Sequence, residues 1–123
     1  MIIGLGLDLV EIPRIAASWE RFGMRFAAKI LHPLEQEKMP ENPVSFMAAR
    51  FAAKEAAVKA LGTGFTERIG FQDLYVSNLP GGQPEMNFIN GALERMRELG
   101  AGRSLLTLTH GRDTAAAVVI LTR

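Results

Sequence analysis

Apolar and polar positions alternate through residues 2–10. Ile3, Leu5, Leu7 and Leu9 fall on one side, and Ile2, Gly4, Gly6 and Asp8 on the other. This period of two predicts a strand with unequal faces. Glycine inside a strand weakens it and marks the close approach of a ligand or another backbone, so Asp8 ends a face from which two side chains are missing. Downstream the period changes. Pro13 suits the first turn of a helix reaching residue 22, with Gly23 as its stop. A second helical stretch covers 25–31 and ends at His32-Pro33. Pro40 and Pro43 bracket a loop, after which 45–61 is a long helix-favouring run closed by Gly62. The Gly62-Thr63-Gly64 loop leads to a strand at 71–77, a turn at 78–82 and a return strand at 85–88. Asn90 is placed to cap a helix through 99, closed by Gly100. Two final strands, 104–110 and 114–121, are joined by Gly111-Arg112-Asp113 in a terminal hairpin. Short joins between the later strands favour antiparallel pairing. The predicted fold is therefore α+β, a small single domain over 1–123 with a mainly antiparallel sheet and one long central helix.

Bulk properties narrow the function. At 123 residues there is no room for a second core. The apolar fraction of 48% and ordinary charge content fit a soluble globular chain. A formal net charge of +1 argues against an extended nucleic-acid surface. The absence of cysteine excludes disulfides, thiol nucleophiles and cysteine-based zinc sites. No stretch approaches the roughly 20 apolar residues of a membrane helix. The opening Met1-Ile2-Ile3-Gly4 lacks the basic region of a signal peptide, and Asp8 and Glu11 interrupt its apolar run. The expected address is the cytoplasm.

The chemistry lies on the long helix. At about 100° per residue, Arg50, Phe51, Lys54, Glu55 and Lys59 sweep half its circumference, while Ala49, Ala52, Ala53, Ala56 and Ala60 fill much of the rest. The alanine side lets the helix backbone pack closely against a sheet. The charged side reads in two ways. One is a solvated face with a Glu55–Lys59 pair, worth only about 0.2–0.5 kcal/mol. The other is a site for a polyphosphate carrying a divalent metal: cations meet phosphate oxygens, Glu55 and Asp8 offer hard oxygens to the metal, and the N–H groups of the Gly62-Thr63-Gly64 loop approach the phosphates. Gly4-x-Gly6 is not a dinucleotide fingerprint, since the third glycine is missing and the pair lies within the strand.

Gly4-Leu5-Gly6-Leu7-Asp8, Arg50-Phe51-Ala52-Ala53-Lys54-Glu55-Ala56 with Lys59 following, and Gly62-Thr63-Gly64 together resemble the signatures of holo-acyl-carrier-protein synthases. Gly82-x-Pro84 and Thr107-Leu108-Thr109-His110 are similar to two further blocks of that family, so five blocks stand in order over nearly the whole chain. The resemblance implies a 4′-phosphopantetheinyl transferase-like fold, assembled as a homotrimer with sites at subunit interfaces. Its implied activity moves 4′-phosphopantetheine from coenzyme A to a serine of apo-acyl-carrier protein, releasing adenosine 3′,5′-bisphosphate, in support of fatty acid biosynthesis. It further implies Mg2+ on Asp8 and Glu55, catalytic roles for Glu55 and Lys59, and Lys59 facing the coenzyme A phosphates. Arg50, Gly62, Thr63, Gly64, Pro84 and His110 would line the nucleotide end. Arg14 would meet the acidic helix of the carrier protein, with Arg21 and Arg25 at helix-compatible spacing beside it. Two departures stand out: Thr109 replaces the serine common before the histidine, and His32-Pro33-Leu34 replaces a more polar stretch before Glu35.

In the implied reaction the serine proton has two open acceptors, Glu55 directly or a water held by the metal. Three other functions compete. A non-catalytic coenzyme A or nucleotide-binding module needs no carboxylate pair, so Asp8 with Glu55 counts against it. A magnesium-dependent nucleotide hydrolase would use water in place of the serine, whereas Arg14, Arg21 and Arg25 favour a protein acceptor. A purely structural trimer explains the alanine side of the helix and not the charged one.

Overall fold

The computed structural model describes residues 1–123. It runs β1 (Ile2–Glu11), α1 (Ile12–Phe22), α2 (Met24–Ile30), α3 (Pro33–Gln36), α4 (Val44–Ala60), a single 3-10 turn (Phe71–Asp73), β2 (Leu74–Asn78), β3 (Pro84–Phe88), α5 (Asn90–Leu99), β4 (Arg103–His110) and β5 (Thr114–Thr122). All strand pairs are antiparallel: β5 lies between β1 and β4 in a three-stranded sheet, and β2 pairs with β3 in a separate hairpin. The α+β expectation is met, and β5 takes the centre of the sheet.

Helix α4 lies across the inner face of that sheet, and ten of its seventeen residues are buried. Its seat on β1 depends on missing side chains. A Cβ at Gly4 would fall 2.2 Å from the Ala60 carbonyl oxygen, and one at Gly6 would fall 1.8 Å from that of Ala56. The strand glycines therefore mark approach of another backbone, and the alanines of α4 complete the contact. Ala117, Val119 and Leu121 of β5 are buried on the same side, joining one apolar cluster of 25 residues.

The outer face of the sheet is uncovered. Leu5, Leu7 and Leu9 are 61–63% exposed, and Leu105 on β4 is 53% exposed. The register sets Leu5 against Ile120 and Ile120 against Leu105, while Leu7 lies against Val118. The Leu5–Ile120–Leu105 rung is thus apolar across all three strands, and the Leu7–Val118 pair extends it on β1 and β5.

Three local expectations are revised. Residues 71–73 form a turn rather than the start of a strand, because the Asp73 carboxylate accepts the Gly70 N–H at 2.8 Å and curls the chain. Asn90 does not cap α5: it lies inside the helix at φ +51°, and its amide donates to Asp73 Oδ1 at 3.0 Å. The unforeseen α3 is one turn closed by reciprocal bonds, with His32 Nδ1 accepting from the Leu34 N–H and Glu35 Oε1 from the His32 N–H. His32-Pro33-Leu34 is thus a helix start, with Pro33 at its first position.

Gly6→Ala forces a Cβ into the helix backbone and should cost about 3 kcal/mol or more. Gly81→Ala, whose Cβ would meet nothing nearer than a flexible Gln83 side-chain atom at 3.8 Å, should stay within about 0.5 kcal/mol. Urea unfolding of the two variants beside the parent measures the difference.

Candidate functional site

The Gly6–Ala56 contact brings the end of β1 against the second half of α4, and two carboxylates meet there. Asp8 follows Gly6 on the inner face of β1 and Glu55 precedes Ala56 on α4. Lys59 lies one turn beyond Glu55 and donates from Nζ to Asp8 Oδ1 at 3.0 Å and to the Leu7 carbonyl at 3.1 Å. The local Glu55–Lys59 ion pair suggested by the spacing does not form; Lys59 is committed to the strand. Burial pushes the Glu55 carboxyl up from its ordinary range, the negative charge of Asp8 pushes it further, and Lys59 and Arg14 oppose both. Arg14, exposed in the first turn of α1, therefore acts on this carboxylate cluster as well as facing solvent.

These residues fit a hard divalent cation. A carboxyl pushed up by burial and by a neighbouring carboxylate, as Glu55 is, is relieved by a positive ion, and Mg2+ commonly takes one or two carboxylates with substrate phosphates and waters. No cluster of three or more histidines, carboxylates or cysteines occurs, so the protein alone does not build a closed metal cage.

Lys54 departs from the charged row. Its side chain is completely buried, with Nζ 2.6 Å from Glu35 Oε1, 2.7 Å from the Ile30 carbonyl and 3.0 Å from the Phe71 carbonyl. All three ammonium donors are used. Burial lowers its pKa, against the opposing pull of Glu35. Glu35 in turn accepts the Val76 N–H at 2.7 Å and the His32 N–H at 2.9 Å. Lys54 is thus a structural cation on the side of α4 that meets α2, α3 and the 3-10 turn, not part of a phosphate-facing surface.

Arg50 behaves differently. Its guanidinium lies 3.8 Å from the Phe46 ring centre, and its Nε is buried without a hydrogen-bond partner. Burial lowers its pKa, with Glu35 opposing. An unsatisfied buried donor on a cation is a place where an anionic ligand would compensate a real cost.

The loop expectation needs correction. Gly62 and Gly64 adopt left-handed conformations, at φ +77° and +65°, but their amides do not form a free phosphate cradle. The Gly62 N–H donates to the Lys59 carbonyl at 3.0 Å, and those of Thr63 and Gly64 to the Val58 carbonyl at 3.2 Å each. The Thr63 hydroxyl donates to the Gly64 carbonyl at 2.8 Å. The loop is the C-terminal cap of α4, and it can line a ligand only by shape. Pro84 opens β3 and borders a cleft of about 660 Å³ with Met86, Phe88, Met96 and Leu106, and none of Asp8, Glu55, Lys59 or His110 lines it. His110, exposed at the end of β4, shares the sheet's inner face with Asp8 but stands two strands away, roughly 10 Å across the sheet. One chain therefore gathers Asp8, Glu55, Lys59 and Arg14, with the Gly62-Thr63-Gly64 cap following Lys59, while Pro84 and His110 lie apart from them.

Sequence reasoning missed a groove of about 330 Å³ between the first two helices and α4. Phe22, Phe26, Phe51 and Phe71 line it, with Arg25 and Lys29 at its rim. The signal was available in the four-residue spacing of Phe22 and Phe26 across the Gly23 break, each directly after an arginine. Arg21 lies just outside, its guanidinium 5.1 Å from the Phe22 ring centre.

Residues 4–119 match the family model described as the 4′-phosphopantetheinyl transferase superfamily. The chain is 59% identical over 122 residues to a holo-[acyl-carrier-protein] synthase of Nitratidesulfovibrio vulgaris, covering 98% of each chain. Among solved structures, it superposes on the holo-[acyl-carrier-protein] synthase of Neisseria meningitidis with a TM-score of 0.93, at 34% identity and full coverage of both chains. The Helicobacter pylori holo-[acyl-carrier-protein] synthase in complex with coenzyme A aligns with a TM-score of 0.85 at 30% identity, over 96% of this chain and 99% of that one.

Glu55→Gln should stabilise the metal-free protein at neutral pH. A carboxyl with a raised folded-state pKa binds its proton more tightly when folded, so its contribution to stability falls as pH rises above the ordinary value of 4.5. Glutamine mimics the protonated form. Thermal unfolding in chelator should show a higher Tm for the variant at pH 7, with the gap closing as pH falls through the carboxylate range.

Proposed function

This chain belongs to the 4′-phosphopantetheinyl transferase superfamily and transfers the 4′-phosphopantetheine group from coenzyme A to apo-acyl-carrier protein, as holo-[acyl-carrier-protein] synthases do; we propose that it works with Mg2+ held by Asp8 and Glu55. The observation that carries the metal reading is the pairing of these two carboxylates at the β1–α4 contact, where burial and then the charge of Asp8 push the Glu55 carboxyl up, with Lys59 and Arg14 beside them. In the reaction, the carrier serine oxygen bonds to the phosphorus bearing pantetheine. The bond from that phosphorus to the bridging oxygen breaks, and adenosine 3′,5′-bisphosphate leaves with the electron pair. Bound Mg2+ would supply charge neutralisation on the pyrophosphate. Lys59, with its ammonium at the edge of the carboxylate pair, would add positive charge where the leaving phosphate becomes more negative. Glu55, whose proton affinity is raised, suits acceptance of the serine proton. Arg50 has a buried donor to offer a coenzyme A phosphate.

The carrier protein would dock on α1 and α2. Arg14 near the carboxylates, Arg21 and Arg25 present positive charge to an acidic partner, and the phenylalanine-lined groove beside Arg25 accepts an apolar side chain. We further propose a homotrimer joined through the outer sheet face. Support comes from Leu5, Leu7, Leu9 and Leu105, an uncovered apolar surface of a kind that marks protein interfaces. Partner subunits would then complete the nucleotide end, which also accounts for Pro84 and His110 lying away from Asp8 in one chain. The setting we propose is fatty acid biosynthesis in the cytoplasm, on the ground that the acceptor is an acyl-carrier protein. No helix is long and apolar enough to cross a membrane.

Mass spectrometry of purified apo-carrier protein incubated with the enzyme, coenzyme A and magnesium should show a gain of one phosphopantetheine. Asp8→Asn should lower that rate at least about 100-fold with an unchanged circular dichroism spectrum, a loss of the size general-base and electrostatic groups command. A variant with the parent's magnesium dependence would remove Asp8 from the metal site.

Leu7→Glu tests the assembly, since a charge in an apolar interface opposes association. Sedimentation should shift from a trimer to a monomer, with transfer activity lost in parallel. A parent that sediments as an active monomer at nanomolar concentration would end the shared-site reading.

A further inference from the structure

The apolar groove has two walls from distant parts of the chain: the short helix α2, which supplies Phe26 and Ile30, and the 3-10 turn, which supplies Phe71. A seven-residue helix has little stability of its own, and its last carbonyls have no partners within the helix. Here side chains from elsewhere take them. Lys54 Nζ donates to the Ile30 carbonyl and also to the Phe71 carbonyl, at 2.7 and 3.0 Å, so one buried ammonium ties the two walls together. Gln72, in the turn beside Phe71, makes the same crossing at the surface: its Nε2 donates to the carbonyls of Ala28 and Leu31. The Gln36 amide adds a bond to the Leu31 carbonyl at 2.9 Å. Glu35 holds the ammonium in place and is itself anchored by the Val76 and His32 amides. The stacked rings of Phe51 and Phe71, 5.4 Å apart, lie within the frame so made.

We propose that Lys54 and Gln72 are positioning residues for recognition of the carrier protein: by bonding the final carbonyls of α2 to α4 and to the 3-10 turn, they fix the width of the groove that receives an apolar side chain of that partner. This assigns a function to the one cation of the α4 motif that faces neither metal nor phosphate. With the carrier protein as the occupant of the groove, as proposed above, both residues act on recognition of that substrate; Gln72 bonds no residue of the metal or coenzyme A site, whereas Lys54 also precedes Glu55 on α4 and its charge bears on Arg50.

Gln72→Ala removes the exposed tie without leaving a buried charge. The expected result is a rise of about fivefold in the KM for carrier protein, with the KM for coenzyme A and kcat each within about twofold of the parent. Amide hydrogen exchange across residues 27–31 should quicken in the same variant. The double variant Lys54→Met/Glu35→Gln removes the buried tie with both its charges, since complete replacement of a buried pair is tolerated far better than loss of one partner. It should raise the carrier KM further than Gln72→Ala does, and because the same pair fixes the rotation of α4, a fall in kcat accompanies the rise in this variant alone. Phe22→Ser, an exposed groove residue, serves as the reference for the groove itself. If Phe22→Ser raises the carrier KM and Gln72→Ala does not, the positioning assignment is wrong and the docking site stands. If Phe22→Ser leaves the carrier KM unchanged, the docking site is elsewhere and the positioning assignment falls with it. A Gln72→Ala variant that loses kcat with both KM values unmoved also overturns the assignment, because loss of folded enzyme produces that pattern. A parent that fails to load the carrier at all overturns the transferase reading instead.

Discussion

Everything functional in this molecule depends on a contact between two backbones. Gly4 and Gly6 of β1 lie so close to the carbonyls of Ala60 and Ala56 that no side chain fits between. Interiors are packed at the density of organic crystals and do not deform smoothly, so the contact sets the height of α4 above the sheet to within a fraction of an ångström. Asp8 is two residues from Gly6, and Glu55 is adjacent to Ala56. Their separation, and the reach of Lys59 back to Asp8, follow from where the helix seats. Alanine on one element and glycine on the other are thus part of the site, although none of them carries chemistry.

A second constraint works on the opposite side of the same helix. Lys54 is one residue from Glu55, about 100° around the axis, and it is held by Glu35 and two carbonyls in a fully buried, fully satisfied arrangement. Helix α4 therefore cannot rotate to bring Glu55 elsewhere without unseating a buried ion pair. Removing one partner of such a pair is strongly destabilising, about 3–5 kcal/mol. Glycines fix the distance of α4 from the sheet, and the lysine fixes its rotation.

The strands, the long helix and the terminal hairpin were legible because their signals are local: alternation in residues 2–10, an alanine-rich run, glycine stops. Asp8, Glu55 and Lys59 were legible as a group because their motifs stand together on two elements that pack. The reach of Lys54 was not, because its spacing places it in a row of charges, and only its partner Glu35, nineteen residues upstream, makes it an interior residue. Nor was the fate of the Gly62-Thr63-Gly64 amides. A glycine-rich loop after a helix serves equally as a phosphate cradle or a helix cap, and the choice lies in which acceptors the loop meets. The short α3 escaped because four residues offer no periodicity, although His32 followed by Glu35 has capping-box spacing with an unusual cap residue. The phenylalanine groove escaped because its members come from α1, α2, α4 and the turn.

The register of β1 bears on how the chain is made as well as on what it does. Its only strand partner is β5, and Asp8 lies opposite Ala117, about a hundred residues later in the chain. On the ribosome, the leucine-rich strand emerges long before the segment that can pair with it exists. Contacts of such large sequence separation form late and slowly, because loop closure must precede them. Throughout synthesis the strand has an unpaired edge and apolar side chains on a segment of high β-propensity, a combination prone to misassociation. Asp8 and Glu11, together with the two glycines that weaken β structure, temper that hazard. The glycines that seat the helix in the finished protein also keep the nascent strand from pairing too readily before its partner arrives.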